Sequence, residues 1–106
     1  MQEAQSTAPR EEPLADLKMV DMLQVLGDPI RLQIVTGLAE RGEAGCSQLG
    51  LPVSKSTVTH HFQVLRDAGV IASRNVGTAR ISHLRREEME RYFPGLLKAI
   101  LTPDCR

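Results

Sequence analysis

The chain has 106 residues, with 42% apolar, 25% charged and 3% aromatic side chains and a formal net charge of zero. This composition is typical of one globular domain in water, and the length leaves too little chain for a barrel or for a doubly wound sheet with a second domain. Because there is no Trp, one Tyr and two Phe, the core must be aliphatic, which argues against a binding platform of stacked aromatic rings.

The sequence carries no pattern typical of export or of membrane insertion. Its N-terminus lacks a basic region followed by an apolar one, and no apolar run approaches the roughly 18 residues that span a bilayer. The two cysteines, Cys46 and Cys105, lie far apart and predict no disulfide framework. We therefore expect a cytoplasmic protein without a membrane segment.

The charges are unevenly distributed along the chain. Residues 1–17 contain four acids against one base, whereas residues 54–85 contain five bases against one acid. The neutral total therefore hides a basic segment, and a local excess of positive charge is what contact with phosphates requires.

The first apolar pattern begins after a polar stretch. Residues 1–13 contain two prolines and little to bury, which predicts a disordered N-terminal tail. We expect one domain over residues 14–102 and a short C-terminal tail over residues 103–106. Apolar residues at three-to-four spacing predict a single first helix over Leu14–Leu26, which Gly27 ends.

Two more helices are predicted before a tight turn. Asp28 is typical of a helix N-cap and Pro29 of the first helical position, so a second helix is expected to run to Gly42. A short helix over Cys46–Leu49 is followed by a turn over residues 51–53.

A long amphipathic helix follows this turn, from Ser54 to Gly69. Its apolar residues share one face, with Val58, Phe62 and Leu65 at positions i, i+4 and i+7. The opposite face is polar and carries Ser56, His60, Gln63 and Asp67.

A basic hairpin and a last helix complete the predicted domain. Residues 70–76 and 79–84 are strand-like and flank the turn at Gly77 and Thr78. Residues 86–101 are helical in pattern, with a kink or split expected at the Pro-Gly pair 94–95. The predicted fold class is mostly α with a small β-hairpin, in the order α-α-α-α-β-β-α.

This order is that of a winged helix-turn-helix, in which the long helix enters the major groove of DNA and the hairpin is the wing. The candidate DNA contacts on the helix are Ser54, Lys55, Ser56, Thr57, Thr59, His60 and Gln63, and those on the wing are Arg74, Asn75, Thr78 and Arg80. A plainer alternative stays open at each position: Ser54 is only a helix cap, and Lys55, Arg74 and Arg80 are only solvated surface.

Three motifs carry a resemblance to a known family. They are GDPIRLQIV at the start of the second helix, SKSTVTHHFQVLRDAGVI across the long helix, and the wing with its Gly77–Thr78 turn and Arg80. Over about residues 20–100 the chain resembles the ArsR/SmtB family of bacterial winged-helix transcriptional regulators. The resemblance implies a homodimer on an inverted-repeat operator, and repression relieved by an inducer that is often a metal ion.

In this family the first and last helices pair across the dimer. The apolar faces of Leu14–Leu26 and Met89–Leu101 fit such pairing, because a chain this small has little other core to cover both. The residues expected at the interface are Leu17, Val20, Leu23, Tyr92, Phe93, Leu96, Leu97 and Ile100.

The sequence departs from the metal sites of the family. Members that sense soft metals often have Cys-x-Cys in the third helix, where this chain has one thiol at Cys46, and Glu87, Glu88 and Glu90 in the last helix have no histidine beside them. Neither site carries over. The remaining candidates for nickel or zinc are His83 with Glu87 or Glu88, and Cys46 as a thiol ligand or redox switch.

The alternative to a metal or redox role is that His83 is solvated and that Cys46 is a small apolar residue. His61 is expected to pack or to form hydrogen bonds, and no cleft or orienting group predicts catalysis.

Two functions are therefore compared. The first is a dimeric, sequence-specific regulator of double-stranded DNA, switched by an effector. The alternative is a helix-turn-helix module that acts mainly through a protein partner, with DNA binding that is weak or depends on that partner. Only the first must lose affinity steeply as salt rises.

Overall fold

The structure of the protein is a computed structural model that describes residues 12–101. The predicted N-terminal tail lies outside this range except for Glu12 and Pro13, which belong to the first helix. The predicted C-terminal tail, residues 103–106, lies wholly outside the described residues.

The described chain is mostly helical with one small antiparallel sheet, which confirms the predicted fold class. The helices are α1 (Glu12–Asp16), α2 (Met19–Leu26), α3 (Pro29–Arg41), a 3-10 helix (Cys46–Leu49), α4 (Lys55–Ala68), α5 (Arg86–Tyr92) and α6 (Leu96–Leu101). The strands are β1 (Ala44–Gly45), β2 (Ile71–Val76) and β3 (Ala79–Leu84).

The single first helix predicted from the apolar spacing is wrong, because the chain breaks between α1 and α2. Lys18 is extended, with φ −85° and ψ 158°, and the Leu17 amide bonds the Leu14 carbonyl at 3.3 Å in a turn. The break allows α1 to pack on α4 and α5 while α2 packs on α3 and α4. No Gly or Pro marks it in the sequence, so tertiary packing and not local propensity causes it.

The start of α3 follows the sequence prediction closely. The Asp28 side chain accepts hydrogen bonds from the amides of Ile30 at 2.8 Å and Arg31 at 3.1 Å, and Pro29 is the first helical residue. The bond from the Arg31 amide is the main cause that lowers the pKa of the Asp28 carboxyl. Gly42, with φ +87°, ends the helix as expected.

The wing is one strand larger than the predicted hairpin. The strand order is β1-β3-β2, and the two residues of β1 pair with β3 through Ala44 opposite Ser82 and Gly45 opposite Ile81. A two-residue strand is too short to show the alternation that identifies strands in a sequence. The tight turn between β2 and β3 has Gly77 at φ +63°, a conformation that glycine adopts without strain.

The core is aliphatic, as the composition predicts, and contains buried side chains from each of the helices α1 to α6. Its most completely buried members include Leu14, Met22, Ile34, Leu38, Phe62, Leu65, Ile71 and Met89. The last helix is split at the Pro-Gly pair, also as predicted, with Gly95 at φ +84°. Among the described residues no helix has the length and apolar character needed to cross a membrane.

Two residues expected at a dimer interface belong instead to this core. Phe93 and Leu97 are 4% and 6% exposed and pack inside the protomer. The apolar pattern of the last helix shows which residues are buried, but it does not separate burial in the protomer from burial against a second copy.

This burial predicts a large effect of truncation at position 93. We expect Phe93→Ala to lower the free energy of unfolding by about 3–5 kcal/mol, because it removes a buried ring and leaves a cavity. Val76→Ala, at a side chain that is 50% exposed, is the control and should stay within about 0.5 kcal/mol of the parent. Urea unfolding of both variants measures the difference, and equal losses would contradict the assignment of Phe93 to the core.

Candidate nucleic-acid interface

The N-terminus of α4 is capped by a serine that was also a candidate DNA contact. Ser54 Oγ accepts from the Thr57 amide at 3.2 Å and donates to Thr57 Oγ1 at 2.8 Å. Thr57 is half-buried, so these two hydroxyls hold the first turn in the free protein. Ser54 remains exposed at the helix end, which leaves contact with a phosphate open to it.

The outer face of α4 presents the other predicted contacts to solvent. The inner face is buried through Val58, Phe62 and Leu65, which fixes the rotation of the helix about its axis. The side chains that this rotation leaves exposed are Lys55, Ser56, Thr59, His60 and Gln63. They occupy the first three turns, the part of a recognition helix that reaches base edges.

Neighbouring side chains form hydrogen bonds with the Gln63 amide, so in the protein without DNA this amide is not free to contact a base. Its Oε1 accepts from Arg66 Nη2 at 2.6 Å, and its Nε2 donates to Asp67 Oδ1 at 2.7 Å. Since a guanidinium only donates and a carboxylate only accepts, these partners also fix which end of the amide is oxygen.

Arg66 joins the recognition helix to the wing. Its Nη1 donates to Ser73 Oγ at 3.2 Å, and Ser73 Oγ lies 2.7 Å from Oγ of the buried Ser82. Burial is the main cause that lowers the pKa of Arg66, and the nearby charge of Arg80 lowers it further. The sequence reasoning missed Arg66, although its spacing of three residues from Gln63 on one helix was a usable signal.

The two candidate arginines of the wing lie on opposite faces of the sheet. Arg80 pairs across the strands with Asn75, on the face where Ser73 and Ser82 meet Arg66 of α4. Because side chains alternate along a strand, Arg74 projects from the other face.

Arg74 is also neutralised there by an acid that the sequence reasoning did not consider. Its guanidinium donates to both Glu43 oxygens, at 2.8 and 3.2 Å. This bidentate pair raises the pKa of Arg74 and lowers that of Glu43. Arg74 and Arg80 therefore differ in face and in pairing, and contact of either residue with DNA stays a prediction.

The helix and the wing share one concave surface. A cavity of about 540 Å³ lies between the 3-10 helix, the start of α4 and the tip of the hairpin. Lys55, Thr78 and Arg80 line it together with Cys46 and Leu51. The fold thus brings together predicted contacts that lie more than twenty residues apart in sequence.

The candidate metal ligands are not brought together. Within residues 12–101 no group of three or more His, Cys, Asp or Glu side chains is arranged to hold a metal ion. His83 is exposed on the Glu43 side of the wing, and Glu88 lies 3.7 Å from the Arg85 guanidinium. Glu87 is exposed on α5, and Cys46 is half-buried in the cleft described above. The predicted pairing of His83 with Glu87 or Glu88 stays a prediction.

His61 has the hydrogen-bonding role that the sequence analysis expected. His61 is 9% exposed as a residue, and its Nδ1 lies 3.0 Å from Nη1 of Arg31. Its Nε2 lies 3.8 Å from Asp28 Oδ1. Arg31 was not a candidate residue, although it belongs to the GDPIRLQIV motif.

These features define a winged helix-turn-helix domain, and comparison with known proteins agrees. A family model described as a helix-turn-helix domain matches residues 26–74. The uncharacterized HTH-type transcriptional regulator YceK of Bacillus subtilis (strain 168) is 32% identical over 82 residues, which cover 74% of this chain and 82% of YceK.

Two solved structures share the fold. One, a possible transcriptional regulator for arsenical resistance, has a TM-score of 0.62 and 30% identity, covering 68% of this chain and 76% of that one. The other, an ArsR family transcriptional regulator, has a TM-score of 0.54 and 24% identity, covering 76% and 75%. The chain belongs to the ArsR/SmtB family of helix-turn-helix transcriptional regulators, and it is a DNA-binding regulator and not an enzyme.

The opposite orientation of the two wing arginines gives a matched test. Arg80→Ala should weaken binding to every duplex and reduce the slope of log K against log salt by about one unit for each lost phosphate contact. Arg74→Ala should leave that slope unchanged, because Arg74 is paired with Glu43 on the other face. Fluorescence anisotropy over a salt series measures both slopes, and equal reductions would show that Arg74 also contacts DNA.

Proposed function

We propose that the protein is a homodimeric repressor that binds inverted-repeat operators in double-stranded DNA and is released by an effector. The observation that carries the proposal is the cleft at the start of α4, where Lys55 of this helix lines one surface together with Thr78 and Arg80 of the wing. A major groove accepts one helix of this width, and the adjoining wing then follows the phosphate backbone.

The roles of the contacts divide by chemistry. Lys55, Thr78 and Arg80 surround the cleft and contact phosphates, which fixes the register of the protein on the duplex. Ser56, Thr59 and His60 project from the first turns of α4 and contact base edges.

A second copy of the chain covers the apolar side of α2. Met19, Val20 and Leu23 are 48%, 59% and 53% exposed and lie at positions i, i+1 and i+4 of this helix. Apolar side chains grouped on one surface mark an interaction site. Tyr92, Leu17, Leu96 and Ile100 are at least partly accessible and extend the proposed interface.

The effector is the least defined part of the proposal. Relief of repression by an inducer follows from the family resemblance, which in other members often involves a metal. The described residues support no cluster of His83, Glu87, Glu88 and Cys46, so a nickel or zinc switch is not part of the proposal.

Selection of duplexes from a randomised library tests the proposed DNA recognition. The expected product is an inverted repeat whose half-sites lie about one helical turn apart, bound with steep salt dependence. The double variant Ser56→Ala with His60→Ala should lose discrimination between selected and random duplexes by a few kcal/mol at most. Enrichment of no sequence would favour a module that acts through a protein partner.

The proposed dimer interface can be tested separately from DNA binding. Leu23→Glu should convert the protein to a monomer at micromolar concentration, because it places a charge in the proposed apolar interface. Val76→Glu, at a similarly exposed residue of the wing tip, should leave the oligomeric state unchanged. Sedimentation velocity measures both, and a monomeric parent protein would contradict the docking of two recognition helices on one operator.

A further inference from the structure

Arg31 connects three helices through one guanidinium. Its Nε donates to the carbonyl of Val25 at 2.6 Å and its Nη2 to that of Gln24 at 3.4 Å, both in the last turn of α2. Its Nη1 donates to Nδ1 of His61 on α4 at 3.0 Å. The C-terminus of α2, the start of α3 and the recognition helix are therefore held together by charge-assisted hydrogen bonds.

This arrangement specifies the protonation of His61. A guanidinium has only N–H donors, so the Nδ1 atom that faces it must be an unprotonated acceptor. The ring proton of the neutral imidazole is then on Nε2, which faces Asp28 Oδ1 at 3.8 Å. The other ring in contact is the exposed His60, with centroids 5.5 Å apart.

We propose that Arg31 and His61 are a positioning pair that holds the recognition helix for DNA binding only while His61 is neutral. The inference rests on the proposed DNA-binding function and adds a proton as a regulatory ligand. It concerns a residue on the buried face of α4, separate from the side chains that contact DNA.

A second proton on the His61 ring changes the residue with which the ring pairs. A proton on Nδ1 would place an N–H group and a positive charge against the Arg31 guanidinium at hydrogen-bond distance, so that contact must break. The cationic ring is attracted instead to Asp28, whose Oδ1 already accepts two backbone amides and stays in place as the cap of α3. The ring therefore has two alternative partners, one for each protonation state.

Protonation of His61 is expected to affect both the proposed dimer interface and the DNA-binding face. The outer side of α2 carries the proposed dimer interface, and α4 carries the DNA contacts. Loss of the bond between Arg31 and His61 removes the polar connection that runs from α2 through Arg31 of α3 to α4. This connection restrains the angle at which a dimer presents its two recognition helices to DNA. The DNA affinity is therefore expected to fall as the pH falls.

The test compares histidine variants that differ in where they place an acceptor. His61→Asn supplies an oxygen near the position of Nδ1 without a titrating group, and His61→Gln supplies one near the position of Nε2. His83→Asn removes an imidazole ring from the exposed side of the wing that faces Glu43 and is the matched control. Anisotropy with a selected duplex at constant ionic strength, from about pH 8 to about pH 5, covers the range in which histidines titrate.

For the parent protein and for His83→Asn, the expected result is a loss of affinity of roughly tenfold as the pH falls. His61→Asn should match the parent at high pH and lose this decrease, whereas His61→Gln should bind more weakly at every pH.

An independent readout comes from the imidazole nitrogens themselves. Nitrogen-15 NMR of the free protein at high pH should show His61 protonated on Nε2 and bare on Nδ1, and the opposite tautomer would overturn the inference. The same loss of affinity in the parent and His61→Asn would overturn it while leaving the proposed function intact. If no duplex binds at any pH, the proposed function fails and the coupling to DNA fails with it.

Discussion

The burial of one face of α4 is the constraint on which the rest of the structure depends. Phe62 and Leu65 of this helix are 1% and 0% exposed, and every rotation that exposed them would also turn the polar face inward. Burial of two large apolar side chains is worth several kcal/mol, which is more than any surface contact of this domain supplies. The hydrophobic core therefore aims the DNA-binding face before any DNA is present.

Apolar packing alone does not fix the position of α4 along its axis, and polar connections at both of its sides supply that restraint. On the side of α2 and α3 the connection is the bond between Arg31 and His61, and on the side of the wing it is the bond between Arg66 and Ser73. Hydrogen bonds are directional and short in range, so they restrain small displacements that apolar contacts tolerate. A recognition helix needs this restraint because base contacts depend on displacements well below the width of the groove.

The sequence predicts those elements whose local signals agree with their tertiary roles. The cap at Asp28, the amphipathic α4 and the split at the Pro-Gly pair before α6 each have a local cause, and each forms as predicted. The break between α1 and α2 and the strand β1 have none, since packing produces the first and pairing with β3 produces the second.

The candidate DNA interface, too, was predictable from the sequence only in part. The exposed residues of α4 follow from its periodicity, but the partners of Gln63, Arg66 and Arg74 depend on which elements become neighbours in the fold.

The positions of the charges explain how a chain with a net charge of zero binds DNA. Of the two wing arginines, Arg74 is offset by Glu43 on one face of the sheet, while Arg80 lies on the opposite face, which meets α4 through Ser73 and Arg66. Glu43 immediately precedes β1, the strand missing from the predicted hairpin, so the third strand places an acid where it cancels the charge of Arg74. Because Arg74 is paired with Glu43 and Arg80 is exposed, the positive potential of the wing is concentrated beside the recognition helix. A net charge of zero is therefore compatible with electrostatic steering of the protein toward phosphates.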